Sequence, residues 1–98
     1  MLNGYDFEVF KYDWLVVIIN PINKTEDVII NDSEKLSTIY EARKNEIWIG
    51  YNNTHYDQYI FKGILLGMNS FEVSDKIIRQ GYEGWKISSS FNKIPMIN

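Results

Sequence analysis

Gly4-Tyr5-Asp6-Phe7-Glu8-Val9-Phe10, followed by Trp14-Leu15-Val16-Val17-Ile18-Ile19-Asn20, is the stretch that decides the fold. Both runs are rich in the aromatic and β-branched residues that suit a pleated, half-buried strand. Lys11-Tyr12-Asp13 between them has the length of a hairpin loop. Asn20-Pro21-Ile22-Asn23-Lys24 then turns the chain into a third run, Asp27 to Ile30. Three antiparallel strands in sequence order are the simplest reading.

Downstream, the pattern changes to helical spacing. Asn31 or Asp32 can cap a helix whose inner stripe is Leu36, Ile39, Tyr40 and the stem of Arg43, with Glu34 well placed near the positive end of the dipole. Ile47-Trp48-Ile49-Gly50-Tyr51 is apolar almost throughout, which predicts a strand covered on both faces in the interior of the sheet. Asn53 or Thr54 can cap a second helix with the stripe Tyr56, Tyr59, Ile60 and Ile64, ended by Gly67. Asn69 with Glu72, and Met68 with Val73, have the spacing of a capping box and a hydrophobic staple for a third helix to about Arg79, stopped by Gly81. Ser88-Ser89-Ser90 reads as loop, and Ile94-Pro95-Met96-Ile97 as the start of a further strand.

The 98 residues suffice for one domain with one core, residues 1–98, which can bury roughly 60 to 70% of its unfolded surface. The absence of cysteine excludes a disulfide framework and a thiolate metal site and fits a cytoplasmic setting; His55, the only histidine, cannot build a histidine-based zinc site. The longest apolar run, Trp14 to Ile19, is far short of the ~20 residues that span a bilayer, and no signal peptide is expected. A net charge of −3 runs against tight binding of nucleic acid, unless bound cations offset the acidic groups.

The acidic residues are the chemistry-bearing feature. In an extended strand, Asp6 and Glu8 point to one face and Tyr5, Phe7 and Val9 to the other. Asp57, in the first turn of a helix after a neighbouring strand, would bring a third carboxylate to the same strand ends. Three hard oxygen donors suit Mg²⁺ or Mn²⁺. Short acidic triplets are common, and two solvated carboxylates on an edge strand are the plain alternative. On a strand flanked by neighbours, however, an unneutralised pair is costly. The other residues draw plainer readings: Tyr12, Trp14, Trp48 and Trp85 as core or hairpin packing, Asp75 as a solvated helix carboxylate, and His55 as an exposed first-turn residue.

The chain resembles the 3′ to 5′ proofreading exonuclease domain of DNA polymerases, in the DEDD superfamily with a ribonuclease H-like fold. Asp6 and Glu8 match that family's Asp-x-Glu first motif. Asn52 or Asn53, with Tyr56 and Asp57, satisfies its second, an Asn, two or three residues, an aromatic and an Asp. Gly50-Tyr51-Asn52-Asn53-Thr54-His55-Tyr56-Asp57-Gln58-Tyr59 looks most like bacteriophage-type polymerases.

The resemblance implies an α/β, ribonuclease H-like fold: three antiparallel strands, then helix, strand, helix, helix, in a mixed sheet incomplete at its C-terminal side. It also implies Asp6, Glu8 and Asp57 as metal ligands and catalytic residues, Asn52, Asn53 and Tyr56 as contacts to DNA, and a single-stranded 3′ end as substrate. Asp6 would bridge two ions ~3.5 to 4 Å apart, with Glu8 on the ion that activates water and Asp57 on the second. The third motif, a Tyr or His with the fourth acid, has no match; Phe71 to Asp75 has the spacing but the wrong first residue. The expectation is therefore an N-terminal fragment or truncated relative, inactive alone, whose sheet is completed by further polypeptide or a homodimer. The competing expectation is a non-catalytic α/β binding or inhibitor domain that keeps the fold.

Overall fold

In the computed structural model, which describes residues 2–96 and all of their side chains except those of Asn53 and Thr54, a sheet of four strands carries three helices on one face. The strands are β1 (Leu2–Val9), β2 (Trp14–Asn20), β3 (Thr25–Ile30) and β4 (Ile47–Gly50). The helices are α1 (Ser33–Arg43), α2 (Gln58–Leu65) and α3 (Ser70–Ile78). Two 3₁₀ turns, Gly84–Lys86 and Ser89–Lys93, follow them.

The sheet order is β3-β2-β1-β4, with β1 antiparallel to β2, β2 antiparallel to β3, and β1 parallel to β4. Hairpins fix the first three neighbours. The fourth arrives by a crossover through α1, as a parallel partner requires. Local chemistry sets the turns. The Phe10 amide closes the first hairpin on the Asp13 carbonyl at 2.7 Å, and the Asn20 carboxamide oxygen accepts from the Ile22 and Asn23 amides at 3.0 and 3.1 Å. Lys24 and Asn31 adopt positive φ at the two ends of β3. Of the two candidate caps for α1, Asp32 is the one used, accepting from the Lys35 amide at 3.0 Å. Asn31 instead ties β3 back to β2 by accepting from the Trp14 amide at 2.8 Å.

The core lies between the sheet and the helices. Tyr5 and Phe7 of β1, Val16 and Ile18 of β2, Ile29 of β3 and Trp48 of β4 all point into it. Phe61 of α2, absent from the stripe expected for that helix, is its centre. Its ring packs edge-on against Tyr5, Phe7, Tyr40 and Trp48 at centroid distances of 5.2 to 5.8 Å. Edge-to-face contacts of this kind add about 0.5–1.5 kcal/mol each to simple burial.

Two expectations change here. β4 lies at an edge of the sheet, and its alternate side chains Ile47 and Ile49 are 43% and 51% exposed. Its continuous apolar sequence reports two faces suited to burial, but only one is covered among the described residues. α2 is also preceded by a single π-helical turn, Asn53–Asp57, so Asp57 closes that turn rather than opening an α-helix. Beyond Ile94, the described chain runs as far as Met96 without forming a strand; the Tyr40 hydroxyl donates to the Pro95 carbonyl, and the Tyr5 hydroxyl approaches the Met96 sulfur at 3.3 Å. The strand expected to start at Ile94 extends to Ile97, outside the described residues.

Candidate functional site

β4 pairs with β1 only from Leu2 to Tyr5, and the final ladder bond runs from the Tyr51 amide to the Tyr5 carbonyl at 3.2 Å. There the chain leaves the sheet. A continued parallel ladder would satisfy the Phe7 amide with the carbonyl of residue 51. Instead Asp57 takes that place: its Oδ1 accepts from the Phe7 amide at 3.4 Å and its Oδ2 from the Asn52 amide at 2.6 Å. The π turn makes this possible, because the Tyr56 and Asp57 amides both bond the Asn52 carbonyl and the wide turn swings Asp57 back toward β1.

The two acidic motifs, 50 residues apart in sequence, therefore meet at Phe7, the residue between Asp6 and Glu8. Asp57 is 2% exposed, whereas Asp6 and Glu8 are exposed on the opposite face of the strand from Tyr5 and Phe7, as alternation demands. Burial pushes the Asp57 carboxyl above the ordinary carboxylate range, the Asn52 and Phe7 amides pull it back in part, and the negative charge of Asp6 raises it further.

The remaining expected site residues are placed as follows. Asn52 is exposed and contributes its backbone, not its side chain, to the Asp57 turn. Tyr56 is half-buried, and its hydroxyl shares a 2.7 Å hydrogen bond with Ser74 of α3. The Asn53 side chain, and that of Thr54 offered as a cap, lie outside the described residues. Asp75 lies at the surface of α3, where Arg79 donates to both of its oxygens at 2.7 and 3.0 Å and Gln80 donates at 3.0 Å. Those donors hold its carboxyl below the usual range.

Among the described residues, no three histidine, cysteine, aspartate or glutamate side chains are gathered closely enough to hold a metal ion. Asp6 and Glu8 are two exposed acceptors on one face of one strand. Both Asp57 oxygens already serve an amide, and their second lone pairs remain as acceptors.

Trp48 is fully buried, its indole donating to the Arg43 carbonyl at 3.0 Å, and Trp14 packs against the core. Tyr12 and Trp85, expected as packing residues, are exposed instead. Trp85 and Tyr82 flank a cleft over Tyr59 and His55, brought close by Gly84, whose missing side chain leaves room for the Tyr59 ring. Nothing in the spacing of Tyr12 or Trp85 marked them as surface residues; for Trp85 the only signal was the lack of periodicity after Gly84. Comparison of the chain with family models, with curated proteins and with solved structures returned no match. Among the described residues, no helix is long and apolar enough to cross a membrane.

Proposed function

We propose that this chain is a fragment or truncated relative of the ribonuclease H-like 3′ to 5′ exonuclease domain of bacteriophage-type DNA polymerases, with Asp6, Glu8 and Asp57 as its acidic positions and a single-stranded DNA 3′ end as the parent family's substrate. The observation that carries this reading is the bond from the Phe7 amide to Asp57, which joins the two motifs of the resemblance at one point of the central strand. The strand order supports it as well, since β1 sits between β2 and β4 with the open end of its β4 side at Phe7. A bound Mg²⁺ or Mn²⁺ would supply Lewis-acid activation of water and of the scissile phosphate. This chain's own residues contribute two exposed acceptors, Asp6 and Glu8, and a fixed carboxylate, Asp57, held by two amides. The fourth acid must come from elsewhere, so the chain alone is a weak ion binder and a poor catalyst.

The burial of Asp57 favours a second reading. With both oxygens on backbone amides, it serves the fold whether or not an ion binds, as expected of a non-catalytic binding or inhibitor domain that keeps the exonuclease-like architecture.

Titration with Mg²⁺ and Mn²⁺ followed by NMR separates the two. Under the first reading, weak binding broadens or shifts the amides of residues 6–8 and 57, is lost in Asp6→Ala and persists in Asp75→Ala. Effects spread evenly over all acidic residues, or unchanged in Asp6→Ala, would rule out a specific site and leave the non-catalytic domain.

A further inference from the structure

Side chains alternate across a strand, so a sheet has two faces to account for. One face carries the helices and the core. The other presents Val17, Ile19, Val28, Ile30, Ile47 and Ile49, of which Ile19, Ile49 and Ile30 are 43%, 51% and 60% exposed. The pairing register makes this one continuous surface: Val28 lies beside Val17, and Glu26 beside Ile19, which is followed by Gly4 and then Ile49. Water-facing sheets normally alternate apolar with polar; contiguous apolar surface of this kind marks a place that another element covers.

The shape of the face and its charge specify the covering element. Gly4, without a side chain, leaves a trough between Ile19 and Ile49 of about 510 Å³, which also reaches Asp6, Glu26 and Tyr51. A trough flanked by apolar ridges receives the apolar stripe of an amphipathic helix. The charged side chains on this face are Asp6, Glu8 and Glu26, all acidic, with Glu26 on β3 and the other two toward the end of β1. A second copy laid face to face would bring these acids together with no cation between them, which disfavours it. A helix with lysine or arginine beside its apolar stripe is complementary to both features.

We propose that the uncovered face of the sheet seats a basic amphipathic helix presented by a partner polypeptide. Its apolar stripe lies along the Gly4 trough, and a flanking cation reaches Glu26. The helix and the ion site share Asp6 and Glu8 as acidic groups of this face, whereas Glu26 and the isoleucines belong to the helix seat alone, so the Glu26→Lys test bears on the helix without touching the ion ligands.

The test uses the chain with two synthetic helical peptides that share one leucine stripe, flanked by lysines in one and by glutamates in the other. Fluorescence anisotropy gives the affinities and methyl NMR the location. The lysine peptide should bind about tenfold tighter, as two or three partly exposed ion pairs imply, with shifts at Ile19, Val28 and Ile49 and none at Leu36, Ile60 or Ile64. Glu26→Lys should weaken the lysine peptide and strengthen the glutamate peptide, a gain that a misfolded variant cannot produce. Equal affinity for the two peptides, shifts spread through the helical layer, or a dimer in analytical ultracentrifugation that Ile49→Asp converts to monomer would each overturn the proposal, the last by assigning the face to a second copy.

Discussion

The carboxylate of Asp57 stands in for a missing strand at Phe7, accepting the amide that β4 would have satisfied had it continued past Tyr51. One side chain thus closes the ladder, anchors the π turn through Asn52 and sets the distance between the two acidic motifs.

Because two amides depend on it, Asp57 is expected to matter to stability before it matters to any chemistry. Asp57→Ala leaves the Phe7 and Asn52 amides without their acceptor and should cost about 2–4 kcal/mol, read as a lower urea midpoint at unchanged slope. Asp57→Asn keeps one acceptor oxygen and should cost less. A loss below about 0.5 kcal/mol for the alanine variant would show that water replaces the carboxylate freely.

The acidity of Asp57 carries a sign that can be checked. Its folded-state pKa is raised, so its contribution to stability is fully present below the ordinary carboxylate value and is lost as pH rises through the raised value. Carboxyl carbon-13 NMR should place its titration above the ordinary aspartate range. Asp6→Asn should move it down, since the Asp6 charge is one of the groups raising it. An Asp57 titration unaffected by Asp6→Asn would mean that the two carboxylates are not electrostatic neighbours.

Activity should be limited by ligand count. The 98-residue chain should degrade single-stranded DNA negligibly, whereas a longer polypeptide that continues through a Tyr-x-x-x-Asp segment should remove nucleotides from the 3′ end. Loose positioning of an ion by Asp6 and Glu8 alone is expected to cost about two orders of magnitude in rate. Gel assays of labelled oligonucleotides decide this. Robust, Asp6-dependent degradation by the short chain would show that no fourth acid is needed, and an equally inert longer chain would favour the non-catalytic reading.

Gly84 should be the glycine least tolerant of substitution. A Cβ there would lie 2.0 to 2.4 Å from the Tyr59 ring, so Gly84→Ala must displace the ring or the 3₁₀ turn, at about 1–3 kcal/mol. At Gly63 the nearest atom, a Val73 methyl carbon, is 3.1 Å away, and the cost of Gly63→Ala should be smaller. Thermal unfolding of the two variants gives the order directly.

Much of this architecture is local, and to that extent legible in the residues. Strand runs, the turn chemistry of Asn20 and the Asp32 and Asn69 caps depend on neighbours within a few positions. Alternation alone sends Asp6 and Glu8 to the face opposite Tyr5 and Phe7, and hairpin pairing with one crossover places β1 between β2 and β4. The tertiary structure decided what depends on distant partners. It made Phe61 the centre of the aromatic core, because rings from β1, α1 and β4 converge there. It buried Asp57 by stopping β4 short, which left one amide of β1 in need of an acceptor. It also left Ile47 and Ile49 exposed on an edge strand, because an apolar sequence specifies that a face is to be covered but not which element covers it.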